Sequence, residues 1–309
     1  MNQFPASQGI LTPESAPDLL NKAIQAIWMR RDEFTSNLKQ LFETIPLEHG
    51  KEHIFSSVSS VVGLPEVTDD TDPISYANPA PGFKQTYTMV TYVKGVRVTD
   101  QAIRFDRFGK IVAMVSGLVK SAMRKEEYSY AGVINGGFAT AKTADAAYLF
   151  SASHLHENPE AGTYSNLATG ALTTSNLQSM RLKARKMTND LGFPDPVLMT
   201  KLLVEPTLEQ KALELTQSFK RADDSLNAET VLINNLEVIV SPFLSSTTAY
   251  FGIGDRKSED KGLIKVELMA PEMADNRPAR VDIKIDRRIK MIYAVGAYQG
   301  KNIYGSTGL

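Results

Sequence analysis

Apolar side chains recur at steps of three and four along several stretches of the chain, which is the spacing of an amphipathic helix. The longest stretch predicts a helix over residues 106–135, closed by a left-handed turn at Gly136 and Gly137. At about 1.5 Å per residue this helix would be roughly 45 Å long, which is unusual in a globular protein. Its predicted buried stripe consists of Ile111, Met114, Val115, Leu118, Ala122, Met123, Tyr130 and Ile134.

The same periodicity predicts further helices before and after this one. One would run to about residue 43, following an irregular arm over residues 1–17. Another would span residues 174–191, and a third would begin at Glu205 with Pro206 in its first position. Short apolar runs predict strands at residues 197–204, 236–240, 250–254, 263–269, 280–286 and 289–296.

Two β-rich segments flank a polar stretch that has little to bury. Residues 53–62 are rich in Val, Ile, Phe and Ser, and residues 83–99 alternate aromatic and β-branched side chains. The connection between them, residues 63–82, contains four Pro and four acidic side chains. This order predicts an extended β-hairpin. Because both of its faces are half apolar and two strands alone are marginally stable in water, we expect the hairpin to pack against a partner surface.

Charge and residue usage exclude several classes of protein. The chain has 34 Lys and Arg against 35 Asp and Glu, which argues against a dedicated nucleic-acid binder. The absence of Cys rules out disulfides, thiolate zinc sites and cysteine nucleophiles. No apolar run approaches the ~18 residues of a membrane span, and the first residues lack a secretory signal pattern. We therefore expect a soluble protein that is made in a cytoplasm.

One pair of histidines resembles a ligand set. His154 and His156 are two residues apart, so on a strand they would share a face and could bind a metal ion, with a third ligand from elsewhere in the chain such as His49, His53 or a carboxylate. The favoured alternative is two polar side chains at a strand end beside a loop. A basic cluster on the helix over residues 174–191 is interpreted as solvent-exposed rather than as phosphate-binding. No catalytic constellation emerges, so the sequence predicts no cofactor and no enzyme activity.

The order of the elements is the most informative feature of the sequence. Residues 73–82 form a loop, and residues 87–100 form an arm that leads through residues 103–109 into the long helix. The order continues over residues 148–184 and 201–212. These stretches predict a helix, then a strand that ends in Pro, and then a second helix. This order resembles the major capsid protein of tailed bacteriophages, which has the Hong Kong 97-type fold shared with encapsulins. Within that group it is most similar to the Mu-like prophage major head subunit.

The resemblance implies an α+β, Hong Kong 97-type capsid fold. Its parts are an N-terminal arm, an extended β-hairpin called the E-loop, a peripheral P-domain that contains the long spine helix, and an axial A-domain. The implied boundaries are 1–50 for the arm and its helix, 51–98 for the E-loop, 99–172 for the P-domain with the spine helix, 173–265 for the A-domain, and 266–309 for the return to the P-domain.

The resemblance also implies a function. The chain would self-assemble into hexamers and pentamers of an icosahedral shell that encloses double-stranded DNA, located in the virion after assembly in the host cytoplasm and without a membrane. Portal and scaffold proteins, and sequence-independent contact with the packaged DNA, are the further partners expected. Contacts between subunits are expected from the E-loop, at Tyr76, Phe83, Tyr87, Met89, Tyr92 and Val93.

Two alternatives to a phage capsid subunit stay open at this point. The first is an encapsulin-type compartment, which has the same fold and holds a protein cargo. The second is a metal-dependent hydrolase that would use His154, His156 and Glu157. An inner-surface pocket for a cargo peptide and the absence of a DNA-filled particle would favour the first, whereas stoichiometric zinc, with activity lost in a His154→Ala variant, would favour the second.

Overall fold

The computed structural model describes residues 25–26, 28–29, 37–58, 81–99, 108–158, 161–217, 236–255, 262–275 and 283–309. These residues divide into two compact units. The first unit contains the described residues of 90–126 and 269–293, and the second contains those of 37–89, 127–268 and 294–309. Within the described ranges, no helix has the length and apolar character needed to cross a membrane.

The described elements mix helix and strand, in agreement with the predicted α+β class. The α-helices are α1 (Phe108–Asn135), α2 (Thr174–Arg185) and α3 (Glu209–Gln217), and short 3-10 helices cover Lys39–Leu41, Gly136–Phe138 and Pro206–Leu208. The strands are β1 (Glu43–Pro46), β2 (Glu52–Val58), β3 (Pro81–Thr88), β4 (Val90–Thr99), β5 (His154–Leu155), β6 (Thr163–Tyr164), β7 (Leu167–Ala168), β8 (Met199–Val204), β9 (Glu237–Val240), β10 (Tyr250–Gly254), β11 (Leu263–Asp275), β12 (Ile283–Ala297) and β13 (Ile303–Ser306).

In the first unit, the N-terminal part of α1 packs with strands β4 and β12. The two strands are antiparallel, and Tyr293 of β12 lies opposite Val90 of β4. The Tyr92 and Tyr293 rings lie 5.0 Å apart, and the Tyr293 hydroxyl donates to the Lys125 carbonyl of α1 at 3.4 Å. The buried apolar residues of this unit are Val115, Leu118, Val119, Ala122, Ile289, Met291 and Tyr293.

In the second unit, a five-stranded sheet in the order β7-β13-β10-β8-β9 separates two apolar cores. Successive residues of a strand point to opposite faces. Leu202 therefore lies in the core that α2 and α3 cover, while Leu203 lies in the core that contains Tyr130 and Ile134 of α1. Each fully buried large apolar side chain contributes about 1.5–3 kcal/mol, so both faces of the sheet stabilise this unit.

The hairpin prediction is confirmed for part of its length. Strand β2 pairs antiparallel with β3, from Glu52 opposite Thr88 to Val58 opposite Pro81. The predicted second arm, residues 83–99, divides at Met89, because β4 pairs with β12 rather than with β2. A fifteen-residue partner strand that lies more than 180 residues further along the chain cannot be seen in local sequence.

The prediction for the end of the long helix was wrong in its detail. Gly136 and Gly137 do not take a left-handed conformation; they continue into a 3-10 turn in which the Gly136 carbonyl accepts the amide of Thr140 at 2.7 Å. Gly137 is required for space, because a Cβ there would lie 2.4 Å from the Phe150 ring. Met114, predicted to be buried, is 51% exposed, because it lies about 100° around the helix from Val115.

Two further predicted elements differ from the structure. The predicted helix up to residue 43 is replaced over residues 37–46 by a 3-10 turn and strand β1, which pairs in parallel with β11. Helix α2 ends at Arg185 instead of residue 191, because the Asn189 side chain accepts the amides of Leu191 and Phe193 and stabilises a turn. The strands predicted at 280–286 and 289–296 are one continuous strand, β12.

Candidate interaction surfaces

The β2–β3 hairpin packs on its own unit with one face only. Phe55 is buried against Tyr87 and Tyr298, with ring centroids 5.5 and 6.0 Å away. Gly296 permits this packing, since a Cβ there would lie 2.5 Å from the Tyr87 ring. Ile54 points to the opposite face and is 61% exposed. The hairpin therefore exposes an apolar side chain on this face, and the alternation of Ile54 with Phe55 in the sequence was the signal that could have predicted it.

The predicted contact residues are distributed between both units. Tyr87 and Met89 are buried within the chain itself, and Phe83 and Tyr92 are partly buried. Val93 is 53% exposed and is the one fully described member of the set that offers a large apolar surface. The remaining predicted residue, Tyr76, lies outside the described residues.

A groove in the first unit lies beside Val93. Its volume is about 370 Å³, and β4, α1 and β12 all contribute to it. The Lys125 ammonium lies 4.9 Å from the centroid of the Tyr92 ring, a distance at which a cation is attracted to an aromatic face. The groove is lined by Thr91, Tyr92, Val93, Lys94, Leu118, Ser121, Ala122, Lys125, Ile289 and Met291.

The first unit is basic, although the whole chain is nearly neutral. Its described residues include ten Lys or Arg and four Asp or Glu. The acidic ones are Glu126, Glu272, Asp275 and Asp286, and Asp286 pairs with Arg97 at 3.3 Å. The basic ones are Lys94, Arg97, Lys110, Lys120, Arg124, Lys125, Lys284, Arg287, Arg288 and Lys290. The net charge of −1 of the whole sequence did not reveal this excess of basic residues in the first unit.

The histidine pair predicted as a possible metal site is buried in the second unit. His154 donates through Nδ1 to Asp145 Oδ2 at 2.9 Å, and its Nε2 faces Asn166 Oδ1 at 3.1 Å and the Leu149 carbonyl at 3.3 Å. The Tyr164 ring stacks on it at 5.0 Å. Although burial opposes the change, the hydrogen bond from His154 lowers the pKa of Asp145. These partners fix the loop conformation around β5 and leave no ring nitrogen directed at solvent.

His156 belongs to a second set of polar contacts. Its Nδ1 lies 3.4 Å from Asp190 Oδ1, and its Nε2 lies 3.3 Å from the Thr188 hydroxyl. The Lys301 ammonium donates to the same Asp190 oxygen at 2.7 Å. Burial alone would raise the pKa of Asp190, but the hydrogen bond from His156 and the charge of Lys301 lower it to about 2. Asp190 therefore stays ionised across the neutral and mildly acidic range.

The two histidines face different carboxylates rather than a common cavity. Among the described residues there is no group of three or more His, Asp and Glu side chains that could hold a metal ion. Both rings lie at the end of strand β5 beside a loop, as the favoured interpretation describes, and both are buried. Sequence could not reveal this, because Asp190 is 34 residues from His156.

Comparison with known proteins identifies the chain. A family model of phage capsid proteins, described as "Phage capsid protein", matches residues 83–304. The chain belongs to the phage capsid protein family. The prediction of a phage major capsid protein is thereby confirmed, and the family match does not favour the encapsulin alternative. A comparison of this capsid protein with curated proteins found no match.

Solved structures show the fold of the capsid protein. The mature capsid of bacteriophage PhiM1 is 10% identical with a TM-score of 0.56, covering 99% of this chain and 90% of that one. The capsid of cyanophage P-SCSP1u is 11% identical with a TM-score of 0.55, covering 86% of each chain. Mycobacterium phage Patience is 11% identical with a TM-score of 0.54, covering 99% and 94%. The predicted Hong Kong 97-type fold is confirmed, while the closer similarity to Mu-like head subunits stays a prediction.

Proposed function

We propose that this major capsid protein assembles into hexamers and pentamers of an icosahedral shell around double-stranded DNA, with its E-loop lying on a neighbouring subunit. The observation that carries the proposal is the one-sided packing of the β2–β3 hairpin. Phe55 anchors one face to its own unit, and Ile54 leaves an apolar position uncovered on the other. Head-to-tail contacts of this kind generate closed rings when the rotation between subunits closes.

Charge complementarity supports a particular receiving surface. Residues 63–82, which connect the two arms, contain Glu66, Asp69, Asp70 and Asp72 and no basic side chain. The first unit is basic, and Lys94 and Lys125 line its groove beside the exposed Val93. Opposite potentials on two surfaces favour their association and set its orientation. We therefore place the acidic connection of one subunit on the groove of the next.

Further partners follow from the same function. Portal and scaffold proteins are expected, and contact with the packaged DNA would be sequence-independent, through phosphate groups. Assembly in the host cytoplasm and the division into arm, E-loop, P-domain and A-domain are proposals that rest on the family.

A deletion and a charge exchange test this proposal. Deleting residues 66–81 should leave a folded subunit that fails to build shells of normal curvature in negative-stain electron microscopy. Lys94→Glu and Asp70→Lys should each reduce the yield of shells, because each places like charges together, and the double variant should recover part of the yield.

Lys211→Glu is the matched control, since Lys211 is exposed on α3 in the second unit. Ordinary heads from the deletion variant would overturn the proposed role of the E-loop. If the deletion blocks assembly but the double variant recovers nothing, the E-loop contact stands and the groove is not its receiving surface.

A further inference from the structure

A carboxyl group lies against the β2–β3 hairpin at the end where Val58 is opposite Pro81, called here the connection end. Gly82 is the second residue of β3, and a Cβ on it would lie 2.4 Å from the Ser57 hydroxyl and 2.6 Å from Glu157 Oε2. Glycine at this position therefore leaves room for the Glu157 carboxyl beside the Ser57 side chain of β2, where Glu157 Oε2 is buried and has no hydrogen-bond partner among the described residues. No other residue type leaves that space.

Two neighbouring side chains complete the attachment. The Tyr298 hydroxyl donates to the Phe83 carbonyl of β3 at 2.9 Å. The Gln299 amide donates to Glu157 Oε1 at 3.4 Å. The connection end of the hairpin and the segment after β12 thus lie in one polar cluster, and Glu157 is the carboxylic acid of that cluster.

The charges that face Glu157 come from several segments. Asp190, after α2, accepts the Glu157 backbone amide at 3.4 Å, and its carboxylate binds Lys301 at 2.7 Å. Asp145 and Tyr164 line the same small cavity, as do Tyr298 and Lys301. His156 precedes Glu157 in the chain and contacts Asp190. Because Lys301 is engaged with Asp190, the ionised Glu157 lies beside a second carboxylate without an ion pair of its own among the described residues.

We infer that Glu157 is a proton-sensitive latch: in its neutral form it holds the connection end of the β2–β3 hairpin to the rest of the second unit, and in its ionised form it loosens the hairpin. The importance of the latch for shells rests on the proposed role of the E-loop in contacting a neighbour. As a positioning residue, Glu157 would control how freely that contact element can reorient.

The sign of the effect follows from the environment of the carboxyl. Burial, reinforced by the charge of Asp190, raises the pKa of Glu157, although the Ser57 hydroxyl, Lys301 and Gln299 oppose the rise. An acid whose pKa is raised in the attached state stabilises that state below its ordinary pKa, and this stabilisation is lost as the pH rises through the raised value. The hairpin should therefore be held more firmly at mildly acidic pH than at neutral pH.

Hydrogen exchange of the full-length, unassembled subunit tests the latch. Protection factors, which correct for the intrinsic pH dependence of exchange, would be measured for β2 and β3 between pH 4 and 8, with β8 and β10 as internal references. In the wild type, hairpin protection should fall by up to about tenfold per pH unit between the ordinary and the raised pKa. In Glu157→Gln, which keeps the shape but cannot ionise, protection should stay high and flat.

Two variants keep the test decisive. Gly82→Ala should lower hairpin protection at every pH, because the added methyl group displaces the Glu157 carboxyl. Glu209→Gln, on the exposed surface of α3, should retain the wild-type slope. A wild-type slope in Glu157→Gln, or protection that rises with pH in the wild type, would overturn the latch. If the latch behaves as expected while deletion of residues 66–81 still yields normal shells, the proposed E-loop function fails and the latch stands.

Discussion

Single buried polar residues organise the loops of the second unit. The Asn166 amide nitrogen donates to the carbonyls of Leu149, Gly300 and Ile303 at 2.6 to 3.0 Å, and its oxygen accepts the Ser151 amide at 2.9 Å. These partners lie up to 137 residues away, so one side chain joins three segments of chain. A buried polar group with complete hydrogen bonding specifies a unique arrangement, because any alternative leaves a donor or an acceptor unpaired.

His154→Ala should lower the free energy of unfolding by about 3 kcal/mol, because the substitution removes the imidazole hydrogen bond to the Asp145 carboxylate and leaves only its bonds to Thr143, Ala147 and Leu155. Denaturant unfolding of the unassembled subunit measures this change, with the exposed His49→Ala as the control. Treatment with a chelator should leave the melting temperature unchanged. A lower melting temperature after chelation would revive the metal interpretation of His154 and His156.

Residue types alone were a poor guide to this cluster. The two-residue spacing of His154 and His156 suggested a shared face, and the structure instead directs the rings to separate carboxylates, Asp145 and Asp190. Neither carboxylate is marked by any local motif. Their roles depend on burial and on chain segments that meet only in the folded state, which periodicity cannot report.

At the scale of elements, the sequence correctly predicted those helices and strands whose own residues carry the apolar spacing or the turn signal. The long helix over residues 108–135 and strand β10 at Tyr250–Gly254 follow from apolar spacing, and Pro206 after Glu205 marks the start of the turn into α3. Predictions failed where a distant strand decides the outcome. Residues 43–46 form β1 because they pair with β11. Strand β4 is not part of the hairpin because it pairs with β12.

Two glycines associated with the long helix should respond in opposite ways to alanine. Gly117 is exposed and a Cβ there meets nothing within 4 Å, so Gly117→Ala should stabilise the subunit by about 0.5–1 kcal/mol. Gly137→Ala should destabilise it, because the new methyl group would collide with the Phe150 ring. Thermal unfolding of the matched pair separates helix propensity from packing. Equal shifts in the two variants would contradict the assigned role of Gly137.

At the scale of the whole molecule, the distribution of charge carries more information than its sum. A net charge of −1 conceals a first unit with ten basic and four acidic described residues and a connection, residues 63–82, with four acidic ones. A large like charge on every surface would oppose the packing of many copies, whereas complementary regions favour it. The total composition argues against a dedicated nucleic-acid binder, but it does not show where the basic and acidic regions lie along the chain.

The initial rate of shell assembly should fall by about tenfold between low and high concentrations of sodium chloride, because salt would screen the proposed attraction between the acidic connection and the basic unit. Light scattering of purified subunits measures the rate. Lys94→Glu should assemble more slowly and show a weaker dependence on salt. A rate that rises with salt would mean that apolar contacts, rather than charge, limit the encounter.

Strand β13 has a consequence for biosynthesis. It lies between β7 and β10 in the five-stranded sheet, and all four of its residues are buried. During translation, β7, β8, β9 and β10 leave the ribosome before the strand that must separate two of them. The sheet cannot close, and Ile303 and Tyr304 cannot fill their two cores, until synthesis has passed Ser306. A nascent chain that has not passed this point therefore has no finished second unit to offer its neighbours.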